Sequence, residues 1–193
     1  MEKLKYIAMV ALAVVASSCT KELSKIALGP TVEMELVAGV EATKTSLLDG
    51  RDVLWLMSDE LSFFDGTDNR KLTAKSANGS TAVFTGQVAQ GCTDFLAVYP
   101  YNSSASADLD ASTVTTAIPA SQAAIENSFG DGCNIALSKG IISGVTSSST
   151  FYNACQLIRF TIPSYLNNVT EVTIASQDNR AIAGTVTFDF SGD

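Results

Sequence analysis

Residues 31–37, TVEMELV, alternate strictly: Val32, Met34 and Leu36 point one way, Glu33 and Glu35 the other. A period of two with one polar side predicts a half-buried β-strand. Short strands are also predicted at 43–47, 53–57 and 61–64, with Asp49-Gly50 and Asp65-Gly66 as turn signals. Residues 71–74 and 82–85 flank Asn78-Gly79, a hairpin marker. Residues 93–99, TDFLAVY, are apolar almost throughout and stop at Pro100, which predicts a central strand covered on both faces. Residues 102–112 read as a loop, 114–118 as a strand broken by Pro119, and 121–129 as a helical turn or more. Further strands are predicted at 134–137, 150–162, 169–175 and 181–190. The stretch 151–162, FYNACQLIRFTI, is the most strand-like of all. Roughly ten short strands separated by turns, without a long amphipathic helix or an internal repeat, predict an all-β sandwich or barrel.

The first eighteen residues stand outside that fold. Met1–Lys5 is a short basic region, residues 6–15 are uniformly apolar, and Ala16-Ser17-Ser18 leads into Cys19. Ten apolar residues span about 15 Å as a helix, half of a bilayer core of roughly 30 Å. This is a signal peptide. Its ending resembles a lipobox, whose cysteine sulfur receives a diacylglyceryl group before cleavage. Stable anchoring takes two or more acyl chains, at about 0.8 kcal/mol per buried CH₂, and such a modification supplies them. Lys21-Glu22 resembles the basic-acidic signal that sends lipoproteins to the surface in some Gram-negative anaerobes. Residues 19–30 then read as a lipidated tether, and the expected location is the outer membrane, facing outward.

Charge and cysteine content narrow the partners. The 193-residue chain has 12 basic and 20 acidic residues; losing Lys3, Lys5 and Glu2 with the leader leaves 10 against 19, a net charge of −9. So acidic a surface repels nucleic acid. With Cys19 lipidated, Cys92, Cys133 and Cys155 remain, an odd number: one disulfide with a spare thiol, or three free thiols, are both open.

The chain contains no histidine, so neither a Ser-His-Asp nor a Cys-His arrangement can form. It also lacks a GxSxG elbow, a phosphate loop, a dinucleotide fingerprint and HExxH. No carboxylate pair stands out, and we expect no enzyme, no metal and no cofactor. Asp65-Gly-Thr-Asp-Asn69 and Asp108-Leu-Asp110 offer oxygens to calcium but lack the closing Glu of a twelve-residue loop; turn chemistry accounts for both. Phe63, Phe64, Phe95, Tyr99, Tyr101, Phe151 and Tyr152 are candidate glycan platforms, although most lie in apolar runs that suit a core.

Six stretches carry a resemblance. They are Thr43-Lys44-Thr45-Ser46-Leu47 leading to Val53-Leu54-Trp55; Asp59-Glu60-Leu61-Ser62-Phe63-Phe64-Asp65-Gly66; Ala82-Val83-Phe84-Thr85-Gly86; Phe95-Leu96-Ala97-Val98-Tyr99-Pro100-Tyr101; Asn153-Ala154-Cys155-Gln156-Leu157-Ile158-Arg159-Phe160; and Ala183-Gly184-Thr185-Val186. In this order, across most of residues 31–190, they resemble the fimbrillin family of lipoprotein pilins. The resemblance implies transthyretin-like β-sandwiches in a two-domain protein, of which residues 31–193 would be the N-terminal domain, with a longer chain continuing beyond. It implies a fimbrial subunit or pilus-associated lipoprotein that serves adhesion and joins other subunits by strand exchange. A trypsin-like protease would cut after Lys44 or Arg51, unless these are ordinary surface charges. The first strand, with Val32, Met34 and Leu36 as its pocket residues, would leave, and a neighbour's strand would replace it by β-augmentation. The alternative is a surface lipoprotein that never polymerises and binds a glycan or host protein.

Overall fold

The computed structural model describes residues 29–40, 53–66, 68–123, 125, 129–130, 132–156, 158, 160–166, 168–178 and 180–191. Cys19, Lys44, Arg51, the predicted strand at 43–47 and the Asp49-Gly50 turn lie outside them. Among the described residues the protein is all-β, without a helix, including the described parts of 121–129.

The strands are β1 (Thr31–Val40), β2 (Glu60–Phe64), β3 (Asn69–Asn78), β4 (Thr81–Ala89), β5 (Asp94–Tyr99), β6 (Ser106–Asp108), β7 (Thr113–Ile118), β8 (Ala136–Ile141), β9 (Thr146–Asn153) and β10 (Gly184–Asp189). Seven of them close on themselves in the order β1-β4-β3-β2-β5-β8-β9. A separate three-stranded sheet runs β10-β7-β6. The pairs are antiparallel except one: β1 and β9 run parallel where the ring closes. Alternation along single strands carries no information about that seam, which joins residues more than a hundred positions apart.

Two cores follow from two layers. Inside the ring, Met34, Leu36, Leu61, Phe63, Leu72, Phe84, Val88, Phe95 and Phe151 are buried together with Trp55. Outside it, Phe64, Leu96, Val98, Ile135 and Leu137 meet Ala105 and Val114, with Ala107, Ile118, Phe188 and Phe190 of the small sheet packed around them. The predicted two-sided strand is found at β5: Phe95 and Ala97 enter the first core, Leu96 and Val98 the second.

The Asn78-Gly79 signal also marks a real hairpin, with Gly79 at φ +64° and Asn78 paired to Thr81. Its two strands are longer than the sequence suggested, and a bulge between Ala74 and Ser76 absorbs a register shift. Phe95 stacks on Phe63, centroids 4.7 Å apart. A Cβ on Gly140, directly opposite Phe95 in the ladder, would lie 2.8 Å from two of its ring carbons. Gly140→Ala is therefore expected to destabilise the domain by about 1–3 kcal/mol through overpacking. An unchanged urea midpoint for this variant would contradict that packing.

Several expectations need correction. Residues 53–57 form no strand. The Leu56 amide donates to Asp59 Oδ2 (2.7 Å) and the Asp59 amide to the Leu56 carbonyl (3.1 Å), so Asp59 closes a turn. The turn drops Trp55 into the ring, edge-on to Phe84, Tyr99 and Phe151, with centroids 5.1–5.5 Å away. The long strand expected at 150–162 stops at Asn153. Its parallel ladder with β1 ends at Phe151, and on the other side its ladder with β8 ends where Asn153 faces Ala136, the Ala154 amide making a last bond to the Ile135 carbonyl. A strand-like sequence without a partner has no ladder to join. The described residues of 169–175 likewise form no strand, whereas the predicted loop at 102–112 contains β6.

Candidate functional site

The candidate site is the place that β1 occupies. On one side it pairs with β4 over nine residues, from Thr31 opposite Ala89 to Gly39 opposite Thr81. On the other it pairs with β9 only from Glu35 onward, opposite Thr146, ending at Val40 opposite Phe151. The parallel ladder opens with the Glu35 amide donating to the Val145 carbonyl at 2.8 Å. Thr31–Met34 are thus held from the β4 side alone among the described ladders.

The three residues singled out from the sequence all face inward. Met34 and Leu36 are buried (1% and 0% exposed), and Val32, part-buried at the mouth, packs against the same cluster. Ala38 completes the row, also fully buried. Sequence reasoning stopped at Val37 because Val37-Ala38-Gly39 no longer contrasts apolar with polar; continuing the even-numbered parity would have found Ala38. These side chains fill a slot in a core rich in aromatic rings.

The outer face of β1 is acidic and tied down. Glu35 accepts a hydrogen bond from Lys75 Nζ of β3 at 2.5 Å, reaching across β4, and Glu33 accepts one from the Thr85 hydroxyl of β4 at 3.2 Å. Hydrogen bonding to Glu35, and then its charge, hold the Lys75 ammonium above its ordinary pKa. The pair is open to solvent, so its role is to set register more than to stabilise.

Where β4 ends, Asp65 forms a buried knot. Its Oδ2 accepts from the Ala89 amide (2.6 Å) and from Arg70 Nε (3.0 Å), and its Oδ1 from the Asp68 amide (3.2 Å). Sequence placed Asp65 in a turn and missed the ion pair, whose only local signal is an arginine five positions on. The Asp65 carboxylate is committed to the chain, Asp108 caps its own turn at the Ala111 amide (2.9 Å), and no metal-binding cluster of acidic or thiol groups exists among the described residues.

No disulfide joins Cys92, Cys133 and Cys155 among the described residues. Burial, followed by the nearby Asp65 charge, pushes the Cys92 thiol up, which disfavours the nucleophilic thiolate. Of the seven candidate glycan aromatics, Phe63, Phe64, Phe95 and Phe151 are buried and Tyr99 and Tyr101 half-buried; Tyr152 alone is more than half exposed. Tyr101 lines an open cleft of about 410 Å³ on the small-sheet side.

Fold and seam together define an all-β domain built on a closed seven-stranded sheet, in which the first strand is the closing stave. Comparisons with family models, curated proteins and solved structures return no significant match.

Proposed function

We propose that this chain is a fimbrial subunit or pilus-associated surface lipoprotein, brought to the outer membrane through lipid on Cys19 and, once cleavage removes that lipid together with β1, joined to other subunits by a strand that takes the place of β1. The observation that carries the reading is the position of β1. It is the first strand among the described residues, and it seats Met34, Leu36 and Ala38 between two strands that would otherwise present unpaired edges. Loss of such a strand opens an apolar slot flanked by backbone donors and acceptors, the geometry that β-augmentation uses. The lipobox and the ordered resemblance to fimbrillins supply the context in which that slot would be filled by another subunit.

The slot also sets terms for its occupant. An incoming strand needs apolar side chains at alternate positions, a small one where Ala38 sits, and the same direction as β1. The reading is tested by the intact mass of the protein sheared from the surface of its native cells. A lipid-free chain beginning at Thr45 or Asp52 is expected, the product of cleavage after Lys44 or Arg51. A mass that retains acylated Cys19 would leave β1 in place, and would favour an anchor subunit or a non-polymerising lipoprotein that binds a glycan or host protein.

A further inference from the structure

Residues 154–183 carry more exposed apolar side chains than any other stretch described: Ile158, Phe160, Ile162, Tyr165, Leu166, Val169, Val172, Ile174 and Ile182. Within it, residues 169–175 keep a strand's alternation, with Val172 and Ile174 on one parity and Glu171 and Thr173 on the other. A few residues later the chain forms β10, the outer strand of the three-stranded sheet. Its far edge has no ladder among the described strands.

The inner face of that sheet shows what is missing. On the middle strand, β7, Val114 is fully buried and Thr116 nearly so. On β10 the inward residues Val186 and Phe188, and Phe190 just after, are only half-buried, with no described strand flanking them on the far side. The outward residues Thr185, Thr187 and Asp189 are exposed, with Thr187 and Thr115 sharing a hydroxyl hydrogen bond of 2.8 Å on the same face.

We propose that residues 169–175, which form no strand in the structure described above, are a strap that closes onto the free edge of β10 as an antiparallel fourth strand. Paired residues share a face, so Val172 and Ile174 must lie beside the even-numbered residues of β10, with Thr173 and Glu171 beside the odd-numbered ones. Placing Thr173 opposite Asp189 puts Ile174 beside Phe188 and Val172 beside Phe190, β-branched against aromatic. It also avoids setting Glu171 against Asp189, as a shift that pairs Thr173 with Thr187 would do. The short connection back to β10 keeps strap and edge at a high effective concentration, which favours the strap of the same chain over that of a second copy. The strap would then cover an edge open to edge-to-edge association.

Two measurements on the full chain test this. In a background with Cys19, Cys92, Cys133 and Cys155 changed to Ser, Thr173→Cys is combined in turn with Thr185→Cys, Thr187→Cys and Asp189→Cys under mild oxidation. A bond within the monomer is expected, strongest with Asp189→Cys. In the unmodified chain, amides of residues 170–174 are expected to exchange at least about a hundredfold more slowly than an unstructured peptide. Random-coil exchange of these amides would overturn the proposal whether or not the variants fold. So would bonds that form only between chains and rise with protein concentration, which would assign the edge to a second copy.

Discussion

A chain lacking residues 31–40 is expected not to fold on its own. Met34 and Leu36 each contribute about 1.5–3 kcal/mol by burial, with Ala38 and the part-buried Val32 adding to that. The deletion also strips partners from backbone groups on β4 and β9, and a buried group left unpaired costs about 1–3 kcal/mol. Against a total stability of about 5–15 kcal/mol, these losses leave little or nothing. Near-ultraviolet circular dichroism reads the result through Trp55, whose ring environment exists only in the closed sheet. A synthetic peptide TVEMELVAGV, added in trans, should restore the signal. A deletion variant that keeps a cooperative transition at the wild-type denaturant midpoint would show that β1 is dispensable, and the exchange mechanism would lose its physical basis.

Asp65→Ala is expected to cost about 3–5 kcal/mol, the range for breaking a buried ion pair from one side. The Asp65 side chain is fully buried and that of Arg70 nearly so. Truncation removes the buried carboxylate from beside the guanidinium, which keeps Asp68 at 3.8 Å, and removes the acceptor of the Ala89 amide. Asp65→Asn, which preserves an acceptor of the same shape without the charge, should lose less. Urea denaturation of both variants checks the order, and equal midpoints for alanine and wild type would mean that the knot contributes nothing. Because Ala89 faces Thr31, this knot fixes the end of β4 against which β1 begins.

What the sequence disclosed, it disclosed through local pattern. β1 was visible in the contrast of Val32, Met34 and Leu36 with two glutamates, the hairpin in Asn78-Gly79, and β5 in an apolar run too dense for a one-sided strand. Three features were not legible, each because it depends on partners far away in the chain. The parallel seam depends on where β9 arrives. The stop at Asn153 depends on where β1 and β8 run out, although Leu157-Ile158-Arg159-Phe160 is as strand-like as what precedes it. Trp55 was placed in a strand because its neighbours are apolar, but Asp59 turns the chain and spends the tryptophan as a plug. At the candidate site the inward row was legible except for Ala38, while the slot around it was not, since its walls come from several other strands.

The mixed seam gives the ring a sense of direction. A strand that runs antiparallel to β4 and parallel to β9 has one orientation that satisfies both ladders, since turning it round breaks both at once. If subunits are joined through this slot, each contact is heterologous and every link repeats the same vector. The resulting fibre is polar: one end presents an open slot and the other a strand with nowhere to go, so growth and capping become chemically different events at the two ends.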